Sequence, residues 1–153
     1  MTAKDIMTTA VVTVKDNATL ENAAKLMLEY RIGGLPVVDA QGKLCGIVTE
    51  SDFSEKERCV PFSTFKAPQL FGKWLSTKQI EKVYQDARSI PVRDVMSREV
   101  WSVEENDAVE TVIALMLRHD INRVPVVRAG RVAGIIARRD LLQMMVEPSD
   151  SKA

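Results

Sequence analysis

The sequence predicts a mixed α/β (α+β) fold: two copies of one β–α–β–β–α unit packed with pseudo-twofold symmetry, with a helical insert between them. Three observations support this prediction: the chain repeats itself, each copy carries one long amphipathic helix, and a short hairpin follows each helix. One unit of about three strands and two helices is too small to close a core alone. A chain of 153 residues, 46% of them apolar, can bury a core without disulfide bonds.

The repeat consists of motifs that recur in the same order after 89 positions, the distance from Asp5 to Asp94. After a one-residue deletion in the following turn, the last motif also aligns. Prolines, glycines and the final aspartate recur in register, which two unrelated amphipathic helices would not reproduce. The aligned pairs are Asp5-Ile6-Met7 with Asp94-Val95-Met96, Leu35-Pro36-Val37-Val38 with Val124-Pro125-Val126-Val127, and Gly46-Ile47-Val48-Thr49-Glu50-Ser51-Asp52 with Gly134-Ile135-Ile136-Ala137-Arg138-Arg139-Asp140.

One apolar stripe in each copy predicts the long helix, because its residues recur at the spacing of helical turns. The stripes are Leu20, Ala23, Ala24, Met27 and Leu28 in copy one, and Val109, Val112, Ile113, Met116 and Leu117 in copy two.

Short β-branched runs predict the strands of each copy. A strand before the long helix is predicted at 11–14 and at 100–103. After the helix comes a hairpin, with its turn at 39–42 or 128–130 and its second strand ending at Thr49 or Ala137. A last helix begins near the aspartate that closes each copy.

Composition excludes several functional classes. Basic and acidic residues balance at 21 each, so no positive field exists to attract nucleic acid or an anionic membrane. The N-terminus lacks a signal peptide, and no stretch approaches the ~20 apolar residues that span a bilayer, so we predict a cytoplasmic protein. Cys45, Cys59 and the single histidine show no metal-ligand spacing, and a structural role is expected for both cysteines. No Gly-rich phosphate loop, Ser-His-Asp set or metal-binding triad appears, so no enzyme activity and no cofactor are predicted.

These motifs and this order of elements resemble the CBS domain family, named after cystathionine β-synthase, whose domains occur in tandem as a Bateman module. The resemblance covers residues 4–55 and 92–146. It implies two related clefts that bind AMP, ADP, ATP or S-adenosylmethionine as a regulatory ligand, a homodimer, and an unidentified regulated protein as partner. Accordingly, we predict one unit at 1–55, a second at 92–147, an insert at 56–91 and a disordered tail at 148–153. The alternative is an interaction or dimerisation module with vestigial clefts and no ligand.

The resemblance assigns ribose binding to a Ser/Thr-x-x-Asp motif, matched in copy one by Thr49-Glu50-Ser51-Asp52. A fixed carboxylate can accept hydrogen bonds from both hydroxyls of a ribose. The same pattern is also a helix capping box, and this reading stays open. Gly33-Gly34 leaves room for an adenine edge to approach the backbone, or ends the helix as a cap. The first cleft is expected to use Thr8, Val11, Thr13, Gly34, Leu35, Pro36, Thr49 and Asp52.

Copy two retains Asp140 but has Ala137 in place of the hydroxyl, and basic residues gather there instead. Guanidinium groups bind phosphate bidentately, so copy two is expected to hold the phosphate of a nucleotide. Alternatively, these arginines form surface ion pairs with Glu99 and Asp120. His119 either stabilises the end of its helix or lies near a phosphate. The candidate residues of this half are Ser97, Val100, Arg123, Val124, Pro125, Arg138, Arg139 and Asp140.

The insert between the copies is predicted to be ordered, because it lacks runs of glycine and serine. It carries a net charge of +3 between residues 54 and 91 and five aromatic residues, Phe62, Phe65, Phe71, Trp74 and Tyr84. A capping box at 76–79 predicts a helix over 80–87. The aromatic residues either form a partner-binding patch or pack onto the parent domain or across a homodimer.

Overall fold

The strands of the chain form two three-stranded sheets and one two-stranded hairpin. The structure is a computed structural model, and it describes residues 1–54, 69–70, 73–74 and 85–146. A short helix, α1 (Ala3–Ile6), precedes copy one. Copy one comprises β1 (Val14–Lys15), α2 (Leu20–Tyr30), β2 (Gly34–Val38), β3 (Leu44–Thr49) and α3 (Glu50–Ser54); the small hairpin is β4 (Gln69–Leu70) and β5 (Lys73–Trp74). Copy two comprises a 3-10 turn (Val92–Asp94), β6 (Val103–Glu104), α4 (Val109–His119), β7 (Arg123–Arg128), β8 (Arg131–Ala137) and α5 (Arg138–Val146). The predicted β–α–β–β–α order is confirmed in both copies.

The two sheets have the same strand order, with the first strand of each copy beside the second and the second beside the third. β1 runs parallel to β2, with Val14 opposite Val37, and β6 runs parallel to β7, with Val103 opposite Val126. Parallel neighbours need a long crossover connection, which the helices α2 and α4 provide. β7 and β8 form an antiparallel hairpin.

The first strand of each copy is shorter than the sequence predicts. Of the runs at 11–14 and 100–103, only Val14 and Val103 lie in strands, and each strand extends one residue further. The prediction of four-residue strands is therefore wrong. β-branched residues favour an extended chain, but a strand also needs a partner, and β2 and β7 pair with only two residues each on that side.

The long helices bury three residues each along the predicted stripes. These are Leu20, Ala23 and Met27 in α2, and Val109, Val112 and Met116 in α4. At the outer edge of each stripe, Leu28 and Leu117 are exposed, 80% and 76% respectively. The apolar stripe is thus wider than the face that packs on the core.

Each core contains residues from the segment that precedes the other copy. Ala3 and Ile6 lie in the cluster of copy two with Val112 and Ile136, while Val92 and Met96 lie in the cluster of copy one. The chain accordingly clusters into two units. One contains Met1–Val11, Gly42–Leu44 and the described residues from Val100 onward; the other contains Val12–Gln41 and the described residues from Cys45 to Glu99.

Backbone hydrogen bonds repeat this exchange with the same 89-residue offset. The amide of Ala3 donates to the carbonyl of Asp107 at 2.8 Å, and that of Val92 donates to Ala18 at 2.7 Å. The amides of the next residues form equivalent bonds. The amide of Lys4 donates to the carbonyl of Glu105 at 2.9 Å, and that of Arg93 donates to the carbonyl of Asp16 at 3.0 Å. The duplication read from the sequence therefore extends to the connections between segments.

The methionine of the Asp-x-Met motif packs on the glycine of the last strand in each unit. A Cβ atom added to Gly134 would contact the side chain of Met7, and one added to Gly46 would contact that of Met96. Both glycines lie in β-strands, where a side chain is normally tolerated. The repeated glycine and methionine are thus complementary in shape.

The turn between β7 and β8 holds a residue in an unfavourable conformation. Arg128 pairs with Arg131, so Ala129 and Gly130 form a two-residue turn, with φ of 50° and 78°. Positive φ suits Gly and Asn far better than Ala. We expect Ala129→Asn to raise the free energy of unfolding by about 0.5–1 kcal/mol, measured by urea denaturation. The control is Ala40→Asn in the other turn, where φ is not positive; an equal gain there would contradict the explanation.

An ion pair ties the end of β7 to the turn before α4. Arg128 donates from Nε to Oε2 of Glu105 at 2.8 Å and from Nη2 to Oε1 at 2.6 Å. The hydrogen bonds from Arg128 lower the pKa of Glu105 below its ordinary value of 4.5. Because this pKa is lower in the folded chain, the stabilisation is present above pH 4.5 and is lost as the pH falls through the lowered value.

Arg128→Gln is therefore expected to flatten the acid limb of the stability curve. Thermal unfolding measured between pH 3 and pH 7 checks this, with the difference from the unmodified protein largest above pH 4.5. Arg118→Gln is the matched control, because Arg118 is exposed on α4 and has no ion pair among the described residues. If both variants show the same flattening, the change in net charge explains it and the Arg128–Glu105 ion pair does not.

Of the helix predicted in the insert, the structure describes only the last residues. Residues 85–88 are helical, in agreement with the last part of the helix predicted over 80–87. The capping box at 76–79, the aromatic side chains of the insert, Cys59 and the tail at 148–153 lie outside the described residues.

Candidate ligand-binding site

The junction between β3 and α3 holds Asp52 in a fixed position. The amide of Thr49 donates to Oδ2 of Asp52 at 2.8 Å, and the Thr49 hydroxyl lies 3.5 Å from the same oxygen. The Thr49 hydroxyl also hydrogen-bonds Ser51 at 2.8 Å. Asp52 is only 5% exposed and is the buried charged residue of the described chain. The capping interpretation is thus confirmed for the carboxylate.

The junction between β8 and α5 repeats this geometry without a hydroxyl. The amide of Ala137 donates to Oδ2 of Asp140 at 2.7 Å. Both aspartates therefore bind the backbone at the residue three positions earlier, as the acidic residue of a capping box does. A carboxylate has about four acceptor positions, so this bond leaves Asp140 capacity for a ligand hydroxyl.

Each junction is anchored to the residue before the second strand. The amide of Glu50 donates to the carbonyl of Gly33 at 3.1 Å, and that of Arg138 donates to the carbonyl of Asn122 at 3.0 Å. α2 ends at Tyr30 and its C-cap is Arg31, in the left-handed conformation with φ of 52°, so the alternative in which Gly33-Gly34 caps this helix is wrong. The carbonyl of Gly33 instead ties the start of β2 to the Asp52 junction.

Several candidate residues on the second strands are core residues. Leu35 and Val124 are fully buried, as are Pro36 and Pro125, and Gly34 is also buried. Their side chains are covered by protein, so a ligand would meet only main-chain groups here. β7 does bring Arg123 opposite Ala137, which places this arginine beside the Asp140 junction.

Two candidate residues, Thr8 and Ser97, each lie against a strand of the copy that they do not belong to in the sequence. Thr8 and Ile135 are joined by two backbone hydrogen bonds of 2.9 and 3.0 Å, so Thr8 lies against β8 of copy two. Ser97 and Ile47 are joined in the same way, at 2.9 and 3.0 Å, so Ser97 lies against β3 of copy one. Thr8, grouped above with the copy-one residues, thus lies with copy two, and Ser97, grouped with the copy-two residues, lies with copy one. A sequence repeat does not reveal which strand a preceding segment joins.

Three candidates lie where the chain passes between units. Val11 is the last residue of the unit that contains copy two, and Thr13 follows in the unit of copy one. Val100 is the first residue of the returning chain. All three are half-buried. Thr13 thus belongs to the same unit as Asp52, and Val11 and Val100 belong to the same unit as Asp140.

The copy-two arginines divide into paired and unpaired residues. Arg138 forms an ion pair with Asp120 at 3.3 Å, which confirms the surface-pair interpretation for this residue. Within the described residues, no ion pair is found for Arg123 or Arg139. Arg139 lies in the first turn of the nine-residue helix α5, where the helix dipole favours an anion. Arg123 and Arg139 are therefore the cations available for a phosphate.

An aromatic stack in copy two was not predicted from the sequence. The rings of Trp101 and His119 are 3.6 Å apart between centroids and inclined by 9°. Both residues are half-buried. The equivalent residues of copy one are Val12 and Tyr30. Because these two cannot form the same ring pair, the alignment of the copies does not indicate a stack.

Other chemistry is not indicated by the described residues. Burial raises the pKa of Cys45, with smaller contributions from Asp16 and Asp39, and its thiol lies 3.5 Å from the carbonyl of Val37. Such a thiol is less nucleophilic, in keeping with a structural role. Among residues 1–54, 69–70, 73–74 and 85–146, no cluster of three or more metal-ligating side chains is found. In the same residues, no helix is both long and apolar enough to cross a membrane.

Comparison with known proteins gives consistent matches over both copies. The model of the CBS domain family matches residues 3–57 and 92–147. The CBS domain-containing protein YhcV of Bacillus subtilis is 35% identical over 138 residues, which cover 90% of this chain and 81% of that protein.

Two solved structures resemble the chain over nearly its whole length. The CBS domain of a CBS domain-containing membrane protein from Sphaerobacter thermophilus has 38% identity and a TM-score of 0.76, covering 94% of this chain and 86% of that one. The CBS domain pair of protein MJ0100, solved with 5′-methylthioadenosine and S-adenosyl-L-methionine, has 26% identity and a TM-score of 0.68, covering 95% of this chain and 96% of that one.

Proposed function

Because this chain belongs to the CBS domain family and contains a tandem pair of these domains, we propose that it is a regulatory module that binds adenosine-containing ligands. In this proposal it changes the activity of a separate protein and does not itself catalyse a reaction. The two ligands of the MJ0100 pair share an adenosine group, which supports this ligand class.

The observation that carries the proposal is the pair of fixed carboxylates. Asp52 and Asp140 each lie at the start of a helix, held by one backbone amide at 2.8 and 2.7 Å. A carboxylate held in this way can accept hydrogen bonds from the two neighbouring hydroxyls of a ribose without first being ordered. Both copies therefore offer the same ribose acceptor.

The two sites differ in what surrounds this acceptor. Copy one adds the Thr49 hydroxyl, and Glu50 lies where copy two has Arg138. Copy two adds Arg123 and Arg139, whose guanidinium groups suit a phosphate. We therefore assign AMP, ADP or ATP to copy two, and a ligand without phosphate, such as S-adenosylmethionine, to copy one.

Calorimetric titration with AMP, ADP, ATP, S-adenosylmethionine and NAD tests this proposal, with inorganic phosphate as the control. At a ligand concentration of 100 Kd, binding raises the free energy of unfolding by about 2.7 kcal/mol, so thermal unfolding provides an independent readout. If no adenosine compound binds at millimolar concentration, the ligand-binding proposal fails. Conversion of a bound ligand to product would replace the regulatory role with an enzymatic one.

A second candidate function, a dimerisation or interaction module with vestigial clefts, is favoured by exposed leucines. Leu28 and Leu117 occupy equivalent positions in α2 and α4 and are both mostly exposed. Apolar side chains of this kind are covered when helices associate. Light scattering should give the mass of a homodimer for the unmodified protein and of a monomer for Leu28→Glu with Leu117→Glu. A monomer in both cases would remove support for the homodimer.

A further inference from the structure

The sulfur atom of Met7 lies directly against the backbone of β8. Of the atoms that a Cβ added to Gly134 would meet, Sδ of Met7 is the nearest, and Cγ follows at 2.7 Å. Gly134 is buried, whereas Met7 is half-buried, so part of the methionine is in contact with solvent. The sulfur therefore has no free space on its β8 side, although its residue is within reach of a small solute.

Met7 belongs to residues 1–8, named here the leading segment, which is attached to copy two at two places. The amide of Ala3 donates to a carbonyl in the turn before α4 at 2.8 Å. At the other end, Thr8 and Ile135 of β8 are joined by two backbone hydrogen bonds. Met7 lies between these attachments and next to the second, so a loss of its packing acts first on the bonds of Thr8.

The equivalent segment of copy one, residues 90–97, is held by more apolar contact. Val92 takes the position of Ala3 and is also fully buried, and the two extra carbon atoms of valine add to the burial. Met96, the counterpart of Met7, is only 6% exposed. An oxidant in solution therefore reaches Met7 more readily, and the leading segment has less apolar burial to keep it in place.

We propose that Met7 is a modification site, at which oxidation of the sulfur to the sulfoxide by a hydroperoxide releases the leading segment from β8. Hydrogen peroxide transfers one oxygen atom to the sulfur, its O–O bond breaks and water leaves, so that the sulfur loses two electrons and the peroxide gains them. The added oxygen is polar and needs space that the contact with Gly134 does not leave. Oxidation of Met7 requires no bound ligand, so this role is independent of the proposed adenosine binding.

Selective oxidation is tested by peroxide titration of the Met144→Leu, Met145→Leu double variant, in which Met7 is the half-buried methionine that remains. Peptide mass spectrometry after each dose locates the added oxygen. Met1, which is 55% exposed, is expected to react first, followed by Met7, with Met96 last. Equal rates at Met7 and Met96, or full oxidation of Met1 without reaction at Met7, overturn the proposal.

Release is measured by hydrogen exchange in the same protein before and after oxidation. The amides of Ala3 and Thr8 are expected to exchange about 5- to 100-fold faster once Met7 carries a sulfoxide, because an unpaired polar group against β8 favours the open segment. The amides of Val92 and Ser97 form the equivalent bonds in copy one and should be unaffected. Unchanged exchange at Ala3 and Thr8 overturns the proposal, and so does an equal rise at all four amides, which would indicate general unfolding.

Met7→Leu is the matched control in this background, because leucine fills a similar volume and carries no sulfur. Peroxide should leave the exchange rates of this variant unchanged even though Met1 is oxidised. In the oxidised parent, methionine sulfoxide reductase with dithiothreitol as reductant should restore slow exchange. The same acceleration in Met7→Leu would assign the effect to another methionine and contradict the proposed site.

Discussion

Alanine at Gly46 or at Gly134 is expected to lower the free energy of unfolding by about 1–3 kcal/mol, the usual cost of overpacking a core. A Cβ at Gly134 would lie 2.7 Å from Cγ and 3.0 Å from Cβ of Met7. A Cβ at Gly46 would lie 2.9 Å from Cγ of Met96 and 3.1 Å from the carbonyl oxygen of Ser97. Because a backbone atom is involved at Gly46, relief by side-chain rotation is harder there, and the loss should be larger.

A double-mutant cycle separates this contact from the general cost of a side chain in a strand. Met7→Ala removes the side chain that meets position 134, so Gly134→Ala should cost little in the Met7→Ala background. Chemical denaturation of the four proteins gives the coupling energy. Additive losses would show that the glycine is required for another reason, such as strand conformation.

Asp140→Ala is expected to weaken AMP binding by about 10- to 100-fold, because hydrogen bonds to a charged acceptor contribute about 1.5–3 kcal/mol. Asp52→Ala should have a smaller effect on AMP, since Arg123 and Arg139, the candidate phosphate-binding arginines, lie in copy two. Calorimetry of both variants measures the difference. Equal losses would mean that the assignment of the phosphate to copy two is wrong.

The capping role of these aspartates requires a matched control. Removing the carboxylate also leaves the amide of Ala137 without its partner, which costs roughly 0.5–2 kcal/mol of stability. Asp140→Asn keeps a carbonyl oxygen that can accept from this amide but removes the charge. We expect this variant to retain most of the stability and still to lose affinity; full affinity in Asp140→Asn would contradict a charged ribose acceptor.

The fold follows from the sequence wherever local pattern and burial agree. The stripe through Leu20 and Met27 has helical spacing and predicts a helix that the core does cover. The strand ends at Thr49 and Ala137 are equally well marked, because a β-branched run stops there and a cap residue follows. The aspartates of the site were found by the same means, although sequence alone could not decide between capping and ligand binding.

What the sequence could not provide depends on long-range pairing. The partner of Thr8 is Ile135, a residue more than a hundred positions away, and no local pattern specifies it. The contact between Trp101 and His119 likewise joins two different segments, the one before β6 and the end of α4. Leu35 and Pro36 are buried in the core, so only their main-chain groups could meet a ligand, and the sequence motif alone does not indicate this burial.

The segment before each copy packs in the core of the other copy, and this affects how substitutions in this chain should be interpreted. Residues 1–11 precede copy one in the gene but pack with copy two, where Met7 fits against Gly134. A substitution at Met7 is therefore compensated most directly at Gly134, whereas a substitution at Met96 is compensated at Gly46. Each half of the duplication thus completes its core with residues that the gene places before the other half: Ala3 and Ile6 for copy two, and Val92 and Met96 for copy one.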